Sequence, residues 1–388
     1  MLHSREGDDA MTVWIVNPFD TLPFELSRPL RYWLMAEAFA KAGHAVTYWT
    51  ADFNHVTKRP RDMAGADRSR LGGIDVRPVH EPPYRRNVGL KRLWAHWRWA
   101  KNWKAAAMKA PQPPEIVVAS SPPLSICKEV RAFAKEAGAK VIVDVMDAWP
   151  ETFERVAPRW LLTPLRRLAR ANYLGADAIT AVADSYAELV RRYGYSGRVR
   201  RFYHGISLKP APGRAPGGGT RIVYAGSLGR TYDIETAIEA VEMLEGASLA
   251  IAGKGEQEES LRRRRNVRFA GYLGEDELAA FLASGDVGLV PMAPESCVGV
   301  PYKLADYANA GLAVASSLGG ESDGLLAKYN AGVAYRAGDP QSLAEAIRRL
   351  APRIDEAKAG ARRMAEAEFD AGKIYMEYVG FAEEVARA

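Results

Sequence analysis

Short apolar runs alternate with stretches of helical periodicity along the whole chain. Residues 13–16 form an apolar run that reads as a buried strand, and apolar positions with helical spacing follow it through Phe39. Ser27 stands where it would cap that helix and Gly43 where it would end it. Residues 45–50 are β-branched and aromatic and read as the second strand. Further strands are expected at 116–119, 141–145 and 178–182, each followed by a helical stretch. The alternation then restarts. Strands at 221–225, 248–252, 267–270, 287–290 and 313–316 interleave with helices near 234–244, 276–283 and 301–310. Asp339-Pro340 opens another helix in the manner of an N-cap and first turn, and a last helix runs from about 373 to 388. Strands alternating with helices need crossover connections and therefore parallel sheets. The expected class is α/β, with two doubly wound domains facing a central crevice.

Residues 207–220, with Pro210, Pro212 and Pro216-Gly217-Gly218-Gly219, read as a linker. The expected organisation is a first domain over 11–206 and a second over 221–372. The last segment, 373–388, is expected to pack back on the first domain. A length of 388 residues suits two domains, and 48% hydrophobic with 26% charged residues is a globular composition. Cys127 and Cys297 are too few for a disulfide scaffold and too far apart for a metal knuckle. The polar start and the lack of an 18-residue apolar run lead to the expectation of a cytoplasmic protein. Charge divides unevenly: residues 1–205 carry 32 Lys/Arg against 21 Asp/Glu, and residues 206–388 carry 21 against 26.

Ligands of open parallel sheets bind where loops leave the carboxyl ends of the strands. Gly226-Ser227-Leu228-Gly229-Arg230 follows one such strand. Its glycines would let the backbone approach an anion, and Arg230 adds a fork of donors. A plain turn with a surface arginine fits the same residues. Gly253-Lys254-Gly255 follows the next strand, with Lys254 either over a phosphate or simply solvated. Tyr302, Lys303, Leu304 and Asp306 open a helix after Pro301, and Lys303 and Asp306 share one face. That pair is either a diphosphate cation beside a ribose carboxylate or a surface ion pair. No dinucleotide fingerprint follows the first strand of either half, which argues against a nicotinamide or flavin dehydrogenase.

Taken together, Tyr224-Ala225-Gly226, Ile251 through Gly255, Val267 through Tyr272 and Pro301 through Gly311 resemble the nucleotide-sugar domain of the family-4 retaining glycosyltransferases. That family has the GT-B fold of two Rossmann-like domains. The resemblance implies that Gly226, Ser227, Gly229, Arg230, Lys254, Gly255, Lys303 and neighbouring Tyr302 and Leu304 hold a donor diphosphate. It also implies that Tyr272 and Leu273 pair with the base, and that Asp306 binds ribose. The family often has glutamate at Asp306 and another eight residues earlier, where this chain has Val298; Glu295 is the closest acid. It usually has Asn-Gly where this chain has His204-Gly205. Ser120-Ser121-Pro122-Pro123, Asp147-Ala148-Trp149-Pro150-Glu151 and the Pro-x-Lys-Leu-x-acid-Tyr run resemble transferases of bacterial surface polysaccharides. Asp147, at the end of its strand, is the candidate catalytic residue, orienting donor sugar or acceptor; an N-cap role fits it equally. Retaining transfer needs no obligatory protein base, and cations at the leaving diphosphate supply the electrostatic help.

No metal or cofactor is expected: the six histidines include no i,i+4 pair, and no Asp-x-Asp triplet occurs. His44 reads as structural, and His55 either faces the acceptor or lies in a solvated loop. From Tyr84 to Lys104 there are seven basic residues, no acid, and four tryptophans. On a helical wheel Leu90, Leu93, Trp94, Trp97 and Ala100 share one side, while Trp99, Trp103 and Arg92 lie nearly opposite. The expectation is that Trp99 and Trp103 meet an anionic membrane while the other side packs on the domain, although a core helix with a solvated basic face fits too. No nucleic-acid motif accompanies these residues. The sequence thus reads as a peripheral, cytoplasmic retaining glycosyltransferase that moves a sugar from a nucleoside diphosphate, most plausibly UDP, to a lipid-linked or surface-glycan acceptor. A nucleotide-sugar 2-epimerase and a catalytically inert donor-binding subunit are the alternatives.

Overall fold

The structure is a computed structural model that describes all residues except 1–9, 26–29, 64–68, 86–88, 155–156, 210–218, 230, 263–266 and 295. It divides into two compact units, the first comprising Met1–Tyr203 with Gly372–Ala388 and the second His204–Ala371. Most of the expected linker, together with Ser27, Arg230 and Glu295, lies outside the described residues. Its first residues attach to the second unit, where the Lys209 N–H donates to Asn309 Oδ1 at 3.1 Å.

In the first unit the sheet strands are β1 (Thr12–Val16), β2 (Ala45–Ala51), β3 (Arg70–Leu71), β4 (Ile74–Val79), β5 (Ile116–Ser121), β6 (Lys140–Val145), β7 (Ala178–Ala181) and β8 (Arg198–Arg201). They lie in the order β8-β7-β6-β5-β1-β2-β4-β3, all parallel except the β3–β4 edge pair. Helices cover such a sheet on both faces, which is why β1 and β5 are continuous apolar runs. The sequence pattern misses β4 and β8 because Asp75, Arg77 and Pro78 interrupt the first and three arginines occupy the second. Both lie toward the sheet's ends, where side chains are half exposed. Strand order reverses between β1 and β5, which makes the carboxyl ends there the favoured ligand edge.

The helix Leu90–Ala107 packs with the opposite face from the one expected. Trp99 and Trp103 are fully buried, whereas Leu90 is 84%, Trp94 50% and Trp97 46% exposed. The reason is aromatic packing supplied by the sheet. Trp103 meets Trp49 and Phe133 at centroid distances of 6.2 and 5.5 Å, and Trp14 packs on both of these partners. Trp99 lies in the same core. Lys101 and Lys104 reach across to Glu129 and Glu136 of the helix Leu124–Ala137, clamping the buried face inward. Trp99 and Trp103 therefore cannot contact a membrane.

One buried ion pair ties the first unit together. Arg31, which opens the helix Arg31–Lys41, donates from Nε and Nη2 to the two oxygens of Asp144 on β6, each at 2.8 Å. Its Nη1 donates to the carbonyls of Phe202 and Tyr203 at 3.0 Å. Thr180 on β7 donates to Asp144 and also bonds the Tyr378 hydroxyl of the last helix, Ala371–Ala386. Both charges are fully buried, and each of the three guanidinium nitrogens has at least one acceptor. The Arg31 guanidinium holds the Asp144 carboxyl below its usual range despite desolvation.

The second unit is a parallel sheet of β9 (Arg221–Ala225), β10 (Ser248–Ala252), β11 (Val267–Gly271), β12 (Val287–Val290), β13 (Ala313–Ser316) and β14 (Gly332–Ala334). The order is β11-β10-β9-β12-β13-β14, so it reverses between β9 and β12. Gly288 in β12 is required by the helix Tyr302–Asn309: a Cβ there would lie 2.4 Å from the Tyr307 ring. The expected helix after Asp339 is present as Pro340–Leu350, with the Asp339 carboxylate accepting from the Ser342 N–H at 2.9 Å.

Removing one partner of a buried, fully bonded ion pair leaves the other charge stranded. Arg31→Met is expected to destabilise the first unit by about 3–5 kcal/mol. Urea unfolding followed by the fluorescence of the tryptophans, all of which lie in this unit, measures it; a midpoint unchanged from the parent contradicts the structural role.

Candidate active site

The loops leaving β9 and β10 are built against each other. The Gly226 N–H donates to the Ala252 carbonyl at 3.0 Å and the Leu228 N–H to the Lys254 carbonyl at 3.0 Å. Gln257 closes the pair: its N–H donates to Leu228 and its Nε2 to the carbonyls of Gly229 and Tyr232. Gly253 has φ of +140°, and a Cβ on it would fall 1.8 Å from the Gly226 oxygen. A Cβ on Gly255 would fall 2.5 Å from the Leu228 carbonyl. The expectation gave Gly255 to a ligand; the structure places its Cα face against the neighbouring loop. Small size is demanded here by loop-on-loop packing.

Lys303 comes up beneath this platform from the helix Tyr302–Asn309. Its ammonium donates to the Tyr224 hydroxyl at 3.1 Å and stands 4.3 and 3.5 Å from the ring centroids of Tyr224 and Tyr232. The Tyr224 hydroxyl in turn donates to the Ser227 carbonyl at 2.5 Å. A Cβ at Gly226 would lie 3.1 Å from Lys303 Nζ, so the glycine leaves the cation within reach of the loop. Lys303 is only 8% exposed. Desolvation drives its pKa well below the ordinary lysine value, opposed by the nearby Asp306 carboxylate. This is a cation held short of water and of a full counter-charge. An arriving anion would relieve both deficits.

The other expected donor residues surround this point unevenly. Lys254 is exposed, with Nζ 5.8 Å from the Tyr272 ring, and Tyr272 is itself half exposed after β11. Ser227 is exposed, while Gly229, Leu273 and Asp306 are partly buried. Tyr302 stacks on His204 at 3.9 Å between ring centroids. Leu304 is fully buried and its N–H bonds to the Pro301 carbonyl, so it has no surface for a ligand. The helical period that puts Lys303 under the loop turns Leu304 into the core. Arg230 lies outside the described residues. Sequence reasoning missed Tyr232 and Gln257 entirely and gave Tyr224 no role. The available signal was an aromatic residue inside an otherwise aliphatic strand, two residues before a glycine.

In the first unit, Asp147 follows β6 and accepts from the Ala148 N–H at 2.8 Å and from Thr152 Oγ1 at 3.3 Å. Burial raises its pKa against these bonds and the attraction of Arg92. The carboxylate thus organises the turn at Glu151–Phe153. His55 is partly buried, with Nδ1 2.7 Å from the Tyr84 hydroxyl, and burial with Lys58, Arg92 and Arg61 nearby pushes its pKa down to about 3. His44 accepts from the Met11 N–H inside the core. Among the described residues no three His, Cys, Asp or Glu side chains converge so as to hold a metal ion. No described helix is long and apolar enough to cross a membrane.

Comparison with known proteins follows the division into two units. The family model for Glycosyltransferase Family 4 matches residues 32–209, and that for Glycosyl transferases group 1 matches 219–352. No curated protein sequence matches the chain. Sucrose-phosphate synthase from Thermosynechococcus elongatus is similar in structure, with a TM-score of 0.77 at 15% identity over 97% of this chain and 99% of that one. Anabaena HepE in complex with UDP gives 0.68 at 14% identity, over 96% and 100%. A glycosyltransferase from Rickettsia africae gives 0.67 at 11% identity, over 98% and 99%. With a glycosyltransferase family model on each half and a doubly wound parallel sheet in each unit, the chain is a glycosyltransferase of the GT-B fold.

Proposed function

We propose that the second unit binds a nucleoside diphosphate sugar, with UDP as the nucleotide, and that the chain transfers the sugar with retention to a lipid-linked or surface-glycan acceptor. The observation that carries the donor reading is the desolvated Lys303 ammonium between Tyr224 and Tyr232 beneath the Gly226 loop. The diphosphate would lie on that loop, with Lys303 on one side and Lys254 beside Tyr272 on the other. Asp306, one helical turn beyond Lys303, would take the ribose hydroxyls. Its side chain is one methylene shorter than the glutamate common in the resembling family, so the ribose would sit closer to the helix. The similar Anabaena protein was solved with UDP and with UDP-glucose, which favours this nucleotide.

In the transfer, the bond between the anomeric carbon and the leaving phosphate oxygen breaks, and an acceptor hydroxyl bonds that carbon on the same face. The acceptor proton passes to the departing diphosphate, which needs no protein base and no metal. Lys303 does most when charge grows on the leaving oxygen, because a cation already stripped of water reorganises little. Asp147, which holds its own turn, would orient the acceptor on the first unit.

For the acceptor, the exposed half of the helix Leu90–Ala107 is the relevant surface. Leu90, Leu93, Trp94 and Trp97 stand out in solvent beside the exposed Lys91 and Arg98. No acid occurs between residues 82 and 114. Tryptophan and basic side chains together suit the headgroup layer of an anionic leaflet, where each cation contributes about 1 kcal/mol. This reading places the chain peripherally on the cytoplasmic face of a membrane, with Trp94 and Trp97 as the inserting residues.

Three outcomes test the proposal. Lys303→Ala is expected to weaken UDP binding, read by calorimetry, by tenfold or more, the scale of one lost charge-assisted hydrogen bond; unchanged affinity refutes the site. Because the empty site lowers the Lys303 pKa and a bound dianion raises it, UDP binding is expected to take up protons between those two values. Affinity then falls as pH rises, and calorimetry in buffers of different ionisation enthalpy counts the protons. Vesicles rich in phosphatidylglycerol are expected to sediment the protein at low salt, and the Trp94→Ser, Trp97→Ser double variant to remain in the supernatant. No sedimentation of the parent removes the membrane claim, and equal sedimentation of both proteins removes the assignment to Trp94 and Trp97.

A further inference from the structure

A second group of buried polar side chains lies in the first unit, at the carboxyl edge of β1, β2 and β4. Glu81, two residues beyond β4, is 1% exposed, and neither carboxyl oxygen has a hydrogen-bond partner among the described residues. Its backbone N–H is held by Asp52 Oδ1 at 2.8 Å, so the residue is fixed while its side chain is left unsatisfied. His96 is 2% exposed. Its Nε2 receives the Arg92 Nε–H at 3.2 Å, so the neutral ring carries its proton on Nδ1, which is buried with no partner among the described residues. The His96 ring is fixed by Phe19 and Tyr84 at 5.1 and 5.8 Å.

Two cations complete the group. Arg92 lies over Phe19, and Lys58 lies 4.8 Å over the Tyr84 ring and 3.3 Å from His55 Nδ1. Lys58 holds a left-handed backbone, φ +60°, which favours glycine or asparagine. A lysine in that conformation stores strain, and strain of this kind gathers at ligand sites. Desolvation lowers the pKa of both cations, Lys58 to about 8. Burial raises the Glu81 carboxyl to about 8, with Asp52 pushing the same way and Arg92, Arg61 and Lys58 opposing. At neutral pH Glu81 is therefore mostly an uncharged O–H donor. Arg61 is paired with Glu25, and Asp52 with His80. The group thus sets two cations, Lys58 and Arg92, beside two unused donors.

We propose that these residues form a subsite for a phosphorylated glycan, with Lys58 and Arg92 taking the phosphate and the Glu81 carboxyl and the His96 Nδ1–H taking sugar hydroxyls. Calling that ligand the acceptor rests on the transferase reading above; the binding site does not. An unpartnered buried carboxyl costs stability, and a group retained at that cost is one that a ligand satisfies. The sequence hid the site because its residues are scattered over three loops and one helix. They match no motif.

Calorimetry on the full chain with glucose 1-phosphate, a short prenyl-diphosphate-linked glucose and inorganic phosphate tests the proposal, with UDP titrated into the same samples. At least one sugar ester is expected to bind at 1:1 and tenfold or more tighter than inorganic phosphate. Preference for the prenyl-linked ester assigns the phosphate to a lipid carrier; preference for glucose 1-phosphate assigns it to a soluble sugar. Arg92→Met and Glu81→Met are each expected to weaken the ester tenfold or more and leave UDP affinity unchanged. Glu81→Gln, which keeps a donor, should restore much of the binding. Glu81→Met should also raise the melting temperature, which a merely structural residue would lower. No ester binding, binding indifferent to both substitutions, or a lower melting temperature for Glu81→Met overturns the subsite. UDP binding that survives such a result leaves the donor reading standing, and its loss with ester binding intact sinks the donor reading alone.

Discussion

A lysine ammonium held out of water between two tyrosine rings is the interaction around which the second unit is arranged. A side chain on Gly226 would crowd Lys303 there, since its Cβ would lie 3.1 Å from the ammonium. Gly226 in turn keeps its course because Gly253 and Gly255 let the neighbouring loop close against it. Gly288 lets the Tyr307 ring, and with it the helix that carries Lys303, seat on the sheet. Four glycines thus serve one cation. Each acts through packing between protein segments, and the anion-binding property appears only at the end of that chain of contacts.

The first unit shows two ways of treating buried charge. Arg31 and Asp144 use their donors and acceptors on each other and on Phe202, Tyr203 and Thr180, and their position joins four elements of the fold. Glu81 and His96 are nearly as deeply buried, and among the described residues the Glu81 carboxyl oxygens and His96 Nδ1 have no hydrogen-bond partner. Satisfied networks rigidify a structure, whereas a buried unsatisfied group carries a desolvation cost that a partner can relieve. Both kinds lie at the carboxyl side or the flank of one parallel sheet, where crossover loops bring distant residues together.

The helix Leu90–Ala107 joins these themes. It carries two apolar arcs, and only one of them can be inside. Trp14, Trp49 and Phe133 receive the arc with Trp99 and Trp103: the Trp103 ring packs edge-to-face on Trp49 and Phe133, and Trp14 packs on both of those. The rejected arc, with Trp94 and Trp97, becomes the exposed surface. His96 and Arg92 lie on the buried side, toward the start of the helix, and reach the polar group at the sheet edge.

The sequence by itself determined the two doubly wound halves, most of the central strands and the helix after Asp339, because local periodicity and capping chemistry encode them. It also put Lys254 on a strand-to-helix loop and Lys303 and Asp306 in the first turns of a helix of the same half. Only the tertiary structure decided that Leu304 faces the core, that Gly253 and Gly255 serve loop packing, and that Trp99 and Trp103 lie inside rather than out. It alone brought Tyr232 and Gln257 to the donor loops and gathered Glu81, His96, Arg92 and Lys58. The physical reason is the same in each case. Burial, aromatic partnership and an unsatisfied hydrogen bond are properties of residues distant in the chain, and hydrophobic patterning records only which residues prefer the interior, not which neighbours they will find there.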